Sequence, residues 1–240
     1  MPANLSLKHV FATLLSALAV AGVIYALVVY EFVPGVWRFV ERRHPAFDQA
    51  GTRSFTGAGI PGDPFNVAFV GSEEDLQHLM AEANWAPADA ITLRSSLRIT
   101  LASVARRPYA DAPVSSLYVN GVKQDLAFEQ AAADDPRTRH HVRFWRMRRL
   151  DLLGRTLWVG AATFDSSVGL SHTTGQVTHH IDANIDAERD KLVTDIQSIE
   201  GVTIRWIDDF QPEREGRNGN GDRYFTDCRL AEILLAPAWP

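Results

Sequence analysis

The first strong pattern in the chain is an uninterrupted apolar stretch near its N-terminus. Residues Val10–Tyr30 contain no charged side chain. A helix rises about 1.5 Å per residue, so a stretch of this length covers a hydrocarbon core roughly 30 Å thick. The pattern therefore predicts a single transmembrane helix. A cleaved signal peptide is the alternative, because Ala17, Ala19 and Ala21 satisfy a small-x-small cleavage rule, although apolar sequence continues beyond Ala21.

The residues after this stretch predict a membrane interface. Aromatic and arginine side chains are mixed there, as is typical at the depth of lipid headgroups. They are Trp37, Arg38, Phe39, Arg42 and Arg43. Only Lys8 and the terminal amine carry positive charge on the other side, so the positive-inside rule places the C-terminal domain in the cytoplasm.

The pattern divides the chain into three parts. Residues 1–44 form the predicted anchor with its interfacial collar. Residues 45–64 are rich in glycine and proline and show no periodicity, which is typical of a linker. Residues 65–240 contain the periodic segments and are long enough to form one soluble domain with a substantial core.

Helical periodicity follows the apolar run at 66–71, which has the length of a strand. Ser72 and Asp75 have the spacing of a capping box, which predicts that a helix begins there. The next apolar residues have the i, i+3, i+4, i+7 spacing of one buried helix face. They are Leu76, Leu79, Met80 and Ala83.

A hairpin signal opens the β-rich part of the chain. The Asn-Gly pair at 120–121 lies between two β-prone segments within 115–130, and this pair favours a two-residue type I′ turn. Two further strands are predicted at 139–148 and 156–164. We expect these four strands to form an antiparallel meander.

The remaining segments complete the predicted fold. Helices are expected over 92–105 and 185–199, a strand over 202–207, a flexible loop over 211–222, and one or two strands after residue 223. The order of elements predicts an α+β domain with a mainly antiparallel mixed sheet and helices on one face, preceded by the transmembrane helix.

Composition and charge exclude some classes of function. The net charge of −5 provides no bulk attraction to nucleic acid, so we expect no nucleic-acid partner. Cys228 is the single cysteine, which excludes an intrachain disulfide and a cysteine-rich metal site.

A basic row in the strand at 139–148 is the first candidate site. Side chains alternate between the faces of a strand, so residues 137, 139, 141, 143 and 145 would share one side. Its basic members are Arg137, Arg139, His141 and Arg143. Arginine offers bidentate hydrogen bonds to phosphate or carboxylate, which predicts an anion site. Alternatively, these arginines lie on a solvated sheet face and pair with acids such as Asp165.

A His/Asp cluster is the second candidate site. His179, His180, Asp182 and Asp186 combine imidazole with carboxylate, a suitable ligand set for zinc or another divalent metal ion. Alternatively, the acids stabilise the first turn of the helix over 185–199, with Asp182 or Asn184 as the N-cap.

Four ordered motifs resemble a known family. They are PVSSLYVNGVKQDLAF (113–128), RTRHHVRFW (137–145), LWVGAATFD (157–165) and THHIDANIDAERD (178–190). They resemble the LssY C-terminal domain, a family named for a component of type I secretion, and the similarity covers roughly residues 64–207. In that family the domain often follows membrane regions that look like DedA-type transporters or lipid phosphatases. The resemblance implies a membrane transport or envelope context and supplies no catalytic residues.

Two functions are consistent with these patterns. The first is a membrane-anchored accessory domain, held by Val10–Tyr30, that binds a partner membrane protein or an anionic lipid or phosphate group. The second is a metal-dependent hydrolase of a phosphorylated or lipid substrate that uses the His/Asp cluster. A scaffold can present both clusters without catalysing a reaction, so the first is favoured.

Overall fold

The computed structural model describes most of the chain. The described residues are 7–32, 51–88, 116–132, 138–150, 154–173, 175 and 177–236. The predicted interfacial collar and the predicted helix over 92–105 lie outside them.

Three helices and fourteen strands are formed by the described residues. The helices are α1 (Leu7–Leu27), α2 (Glu73–Glu82) and α3 (Ile185–Ile196), and a π-helical segment (Val28–Phe32) continues α1. The strands are β1 (Arg53–Thr56), β2 (Pro61–Pro64), β3 (Val67–Val70), β4 (Ala86–Pro87), β5 (Leu117–Val119), β6 (Val122–Lys123), β7 (Leu126–Ala131), β8 (Arg139–Leu150), β9 (Thr156–Leu170), β10 (Val177–Ile181), β11 (Val202–Ile207), β12 (Glu215–Arg217), β13 (Arg223–Phe225) and β14 (Leu230–Leu235).

The main sheet is mixed but mainly antiparallel, which confirms the predicted α+β class. Its strand order is β11-β14-β3-β9-β8-β7-β4, and β10 also pairs with β9. Among these pairs, only β14 with β3 is parallel. Because β9 pairs with β3 through its first half and with β10 through its second half, the end of β9 and β10 form a two-stranded extension beyond β3.

The two faces of the main sheet are covered differently. Helices α2 and α3 pack on one face, where Leu76 and Leu192 share a core with Val142 and Phe144 of β8. On the other face, Trp145 packs in a second cluster that includes Leu117 of β5. Strand β5 belongs to a separate small sheet of order β2-β1-β5-β6. Among the described residues of the domain, helices therefore lie on one face only, as predicted.

Two local predictions are confirmed in detail. The Ser72 side chain accepts a hydrogen bond from the Asp75 backbone N–H, and the Asp75 side chain accepts one from the Ser72 backbone N–H. This capping box begins α2. Asn120 and Gly121 both have positive φ, 51° and 77°, as a type I′ turn requires.

The predicted linker is wrong over residues 53–64. These residues form β1 and β2, which pair antiparallel. The Ser54 hydroxyl, fully buried, donates to the Asp63 carbonyl at 2.9 Å. Strands this short, with prolines at both ends of β2, carry no alternating pattern, so the sequence suggested a linker instead.

The predicted four-stranded meander needs a correction too. Strands β7, β8 and β9 form an antiparallel meander, but β5 and β6 belong to the small sheet, where β5 pairs with β1. The expected loop over 211–222 also contains β12, which pairs with β13. The predicted strand at 202–207 matches β11.

The N-terminal apolar stretch forms α1 and the π-helical segment after it. Every described side chain from Phe11 to Val28 is exposed. Within the described residues, no helix combines the length and the hydropathy needed to cross a membrane.

Candidate functional site

Alternation along β8 separates two sets of side chains, as predicted. Val142 and Phe144 lie in the core on the helix side. His140 lies with them, and its Nδ1 is 2.7 Å from Glu188 Oε2 on α3. The opposite side of β8 carries Arg139, His141, Arg143 and Trp145. All four are buried. Trp145 clusters with Leu117 of the small sheet and Arg143 pairs with Asp63 of β2, while His179 of β10 lies 3.4 Å from Arg139.

Asp165 is the centre of a buried polar network on this covered face. Arg139 Nε donates to Asp165 Oδ2 at 3.1 Å, and Arg139 Nη1 donates to Glu129 Oε2 at 3.0 Å. His141 Nδ1 is 3.3 Å from Asp165 Oδ1, and His179 Nδ1 is 3.9 Å from Asp165 Oδ2. We call Glu129, Arg139, His141, Asp165 and His179 the Asp165 network.

Burial and neighbouring charges determine the protonation states of Asp165 and His141. Burial, reinforced by the Arg143 cation, lowers the pKa of His141 from 6.5 to about 4. Burial alone would raise the pKa of Asp165, but His141, His179 and Arg139 outweigh that effect and hold this pKa well below its usual range. At neutral pH a neutral His141 therefore donates from Nδ1 to an ionised Asp165, because a carboxylate can only accept.

A further ion pair lies between the network and β2. Arg143 Nη1 donates to Asp63 Oδ2 at 3.0 Å, and Asn218 Nδ2 donates to Asp63 Oδ1 at 3.3 Å. Asn218 Nδ2 also lies 3.4 Å from Asp222 Oδ2. Asn218 therefore links the buried interior to the loop between β12 and β13.

Several buried polar atoms on this face have no hydrogen-bond partner among the described residues. They are His141 Nε2, Arg143 Nε, Trp145 Nε1 and Thr163 Oγ1. Thr163 is the cross-strand partner of His141, so at least two of these atoms are neighbours on the sheet. Buried polar groups of this kind are usually satisfied by ordered water or by a ligand.

The basic row predicted in β8 is therefore buried and not exposed to solvent. Arg139, His141 and Arg143 share a face, but they are 6%, 2% and 5% exposed. Asp165 does pair with an arginine of the row, as the alternative prediction had it, although the pair is buried and not solvated. Arg137 lies outside the described residues. Anion binding by these residues stays a prediction, and the burial and acidic partners of Arg139 and Arg143 argue against it.

The four predicted metal ligands have separate surroundings. His180 Nδ1 lies 2.6 Å from Asp222 Oδ1, and His172 Nε2 lies 3.9 Å from the same oxygen. His172, His180 and Asp222, the Asp222 cluster, can each place one ligand atom within 4.8 Å of the others. His179 instead belongs to the Asp165 network, where burial lowers its pKa.

The two predicted aspartate ligands have structural partners. Asp182 Oδ1 accepts from the Asn184 backbone N–H at 2.8 Å, and Asn184 is the N-cap of α3. Asp186 accepts from Thr226 Oγ1 at 2.8 Å and from the Asp227 backbone N–H at 2.6 Å. These bonds tie the first turn of α3 to the segment before β14.

Sequence reasoning missed Asp63, Asn218 and Asp222. Asp63 lies in the segment predicted as a linker, and the other two lie in the segment predicted as a flexible loop. The run NGNGD at 218–222 held a signal, because Asn and Asp side chains bond to backbone groups two residues on and form tight turns. Asn218 Oδ1 does accept from the backbone N–H groups of Asn220 and Asp222, both at 3.0 Å.

Comparison with known proteins identifies the family. The family model described as LssY C-terminus matches residues 47–230. No curated protein and no solved structure is significantly similar to the chain. The match covers more than half of the chain and includes both the Asp165 network and the Asp222 cluster. The chain therefore belongs to the LssY C-terminus family.

Proposed function

We propose that the protein is a membrane-anchored accessory domain that binds a partner membrane protein. In this proposal α1 attaches the chain to the membrane, and the extension formed by the end of β9 and by β10 binds the partner at the membrane surface. We call residues 166–181 the β9–β10 ribbon. The contact between this ribbon and α1 is the observation that carries the proposal.

The first support comes from the N-terminal helix. Its residues 10–27 carry no charged side chain and rise over about 27 Å. Large apolar side chains such as Phe11, Leu14 and Leu18 are more than half exposed. Exposed apolar surface of this extent marks a site of membrane or protein contact.

The second support is the position of the ribbon. The Tyr25 hydroxyl donates to the Gly175 carbonyl oxygen between β9 and β10. Val29 is buried, and a Cβ added to Gly175 would lie 3.6 Å from its side chain. Gly175 of the ribbon therefore lies beside the C-terminal end of α1. If α1 enters a membrane, the ribbon lies at the membrane surface.

The side chains of the ribbon favour a protein partner over an anionic lipid. Residues 166–181 contain no lysine or arginine, so they offer no charge attraction to anionic headgroups. Val168 and Leu170 are 40% and 56% exposed, and because they are two residues apart in the strand they lie on the same face.

We expect the full-length chain to remain with membranes after a high-salt wash. Replacing both Leu14 and Leu18 with arginine should move most of the protein to the soluble fraction, because each charge costs about 2.5–3.5 kcal/mol at the centre of a membrane helix. Immunoblotting of membrane and soluble fractions measures the shift.

Leu150→Arg is the matched control, because Leu150 is 57% exposed but lies in the domain. It should leave the fractionation unchanged. Recovery of a soluble mature chain lacking residues 1–21 would instead establish a cleaved signal peptide and overturn the anchor.

A photo-crosslinking amino acid at Val168 should form an adduct with one membrane protein of defined mass. The same amino acid at Val122, which is 49% exposed on the small sheet, should not. Leu170→Lys should abolish the adduct from position 168 without changing membrane fractionation, because a charge on the apolar face disrupts packing against a partner. Denaturing gels of native membranes after irradiation provide the measurement.

Two results would count against the partner. Adducts with lipid alone would favour the lipid-binding alternative. Equal protein adducts from positions 168 and 122 would indicate unspecific collision. The hydrolase alternative has less support, because the described positions of His179, His180, Asp182 and Asp186 do not form one ligand set.

A further inference from the structure

We propose that His172, His180 and Asp222 bind a divalent transition-metal ion of the zinc class, with water completing its coordination. This site differs from the set predicted from the sequence, of which it retains only His180. It also does not depend on α1 entering a membrane or on the ribbon binding a partner.

The distances between the three ligand atoms suit one small ion. Zinc binds imidazole nitrogen and carboxylate oxygen at about 2.0–2.2 Å, so two ligand atoms of a tetrahedral site lie about 3.3–3.6 Å apart. The distances from Asp222 Oδ1 to His180 Nδ1 and His172 Nε2 are 2.6 and 3.9 Å. They bracket the required value, and all three ligand atoms lie within 4.8 Å of one another.

Surrounding hydrogen bonds hold the carboxylate in place. Asp222 Oδ2 lies 3.3 Å from the Ile181 backbone N and 3.4 Å from Asn218 Nδ2, which leaves Oδ1 directed at the histidines. The His172 backbone N–H donates to the Asn220 carbonyl at 2.8 Å. This bond joins the end of β9 to the loop that carries Asp222. Bonds that orient the ligands in this way are a regular part of protein metal sites.

Two glycines make room for the imidazole side chains. A Cβ at Gly169 would lie 2.7 Å from His180 Nε2, so the ring packs directly on the strand and presents Nδ1 to Asp222. A Cβ at Gly221 would lie 2.8 Å from His172 Cβ, and the φ of Gly221 is +85°. The loop therefore approaches the end of β9 as closely as it does because position 221 has no side chain.

The ligand set and its exposure indicate the class of metal. Two imidazoles with one carboxylate favour zinc and its neighbours in the first transition row over magnesium or calcium, which prefer oxygen ligands. His180 and Asp222 are mostly buried, while the His172 side chain is 68% exposed. Solvent therefore reaches the site from the His172 side, where the open coordination position would hold water.

Zinc titration of the untagged full-length protein tests the site. The protein is purified in detergent, stripped with a chelator and titrated with zinc chloride in a calorimeter. We expect one zinc ion per chain. His172→Gln should weaken binding at least tenfold, because loss of a ligand should cost no less than the 10–100-fold seen when its supporting residues are changed. Millimolar magnesium should neither bind nor compete.

His78→Gln is the matched control, because His78 is an exposed histidine on α2, away from the cluster. It should bind zinc within twofold of the wild type. Asp222→Asn provides a second ligand variant, and circular dichroism verifies its folding. The proposal is overturned if the wild type shows no saturable zinc binding. It is equally overturned if His172→Gln or folded Asp222→Asn binds zinc as tightly as the His78 variant.

Discussion

Replacing Asp165 with asparagine is expected to lower the free energy of unfolding by roughly 3 kcal/mol. Asp165 is buried and is the shared partner of Arg139 and His141. Asparagine has the same shape but no charge, so the buried Arg139 cation would keep Glu129 as an acidic partner but lose Asp165. For a domain of this size the melting temperature should fall by about 6–12 °C. Thermal unfolding of the detergent-solubilised protein measures it.

Asp208→Asn is the control for this substitution. Asp208 also pairs with an arginine, since Arg229 Nε lies 2.9 Å from its Oδ1, but its side chain is 75% exposed. Removing a surface pair should cost less than about 1 kcal/mol. Equal losses in the two variants would show that the Asp165 network contributes no more than an ordinary surface ion pair.

Acidification is expected to destabilise the folded protein between pH 6.5 and 4, mainly through His141. Its pKa is about 4 in the folded state and near 6.5 in the unfolded chain, so the unfolded chain binds more protons in this window. The contribution of His141 to the free energy of unfolding is therefore fully present above pH 6.5 and is lost as the pH falls toward 4. The loss from this residue is about 3 kcal/mol at most. His179, with a pKa lowered by burial, acts in the same direction.

His141→Gln should flatten this pH dependence. Glutamine can hydrogen-bond to Asp165 but does not titrate, so the variant should lose less stability than the wild type between pH 7 and pH 4.5. His78→Gln, at an exposed position, should retain the wild-type slope. Burial raises the pKa of Glu188, so the folded state binds more protons and this residue acts in the opposite direction. Glu188 is present in the wild type and in both variants, so it does not affect their comparison. Parallel slopes in wild type and His141→Gln would contradict a buried neutral His141.

Local signals in the sequence predicted local structure well. Ser72 and Asp75 place the start of α2, and Asn120-Gly121 fixes the hairpin turn, because each feature depends on residues a few positions apart. The alternation in β8 also predicted correctly which side chains share a face. These are properties of one strand or one turn, so a single sequence contains them.

Features that depend on distant segments were not predictable in this way. Alternation placed Arg139, His141 and Arg143 on one face, but it could not show that β2, β5 and β10 contribute residues that cover that face. Asp63 neutralises Arg143 from a segment without periodicity. Asp222 approaches His180 only because the β12–β13 hairpin folds back on the ribbon. In each case the partner comes from a segment whose own pattern is weak.

The position of β3 in the main sheet has a consequence for how the domain folds. Its four residues, Val67–Val70, are all buried, and both neighbouring strands, β9 and β14, come from much later in the chain. Closing such long loops costs entropy before any strand contact offsets it, which slows folding. Until then a short β-prone apolar segment lacks its partners, and segments of this kind are prone to aggregate. We therefore expect this domain to be more prone to aggregation while it folds than after it has folded.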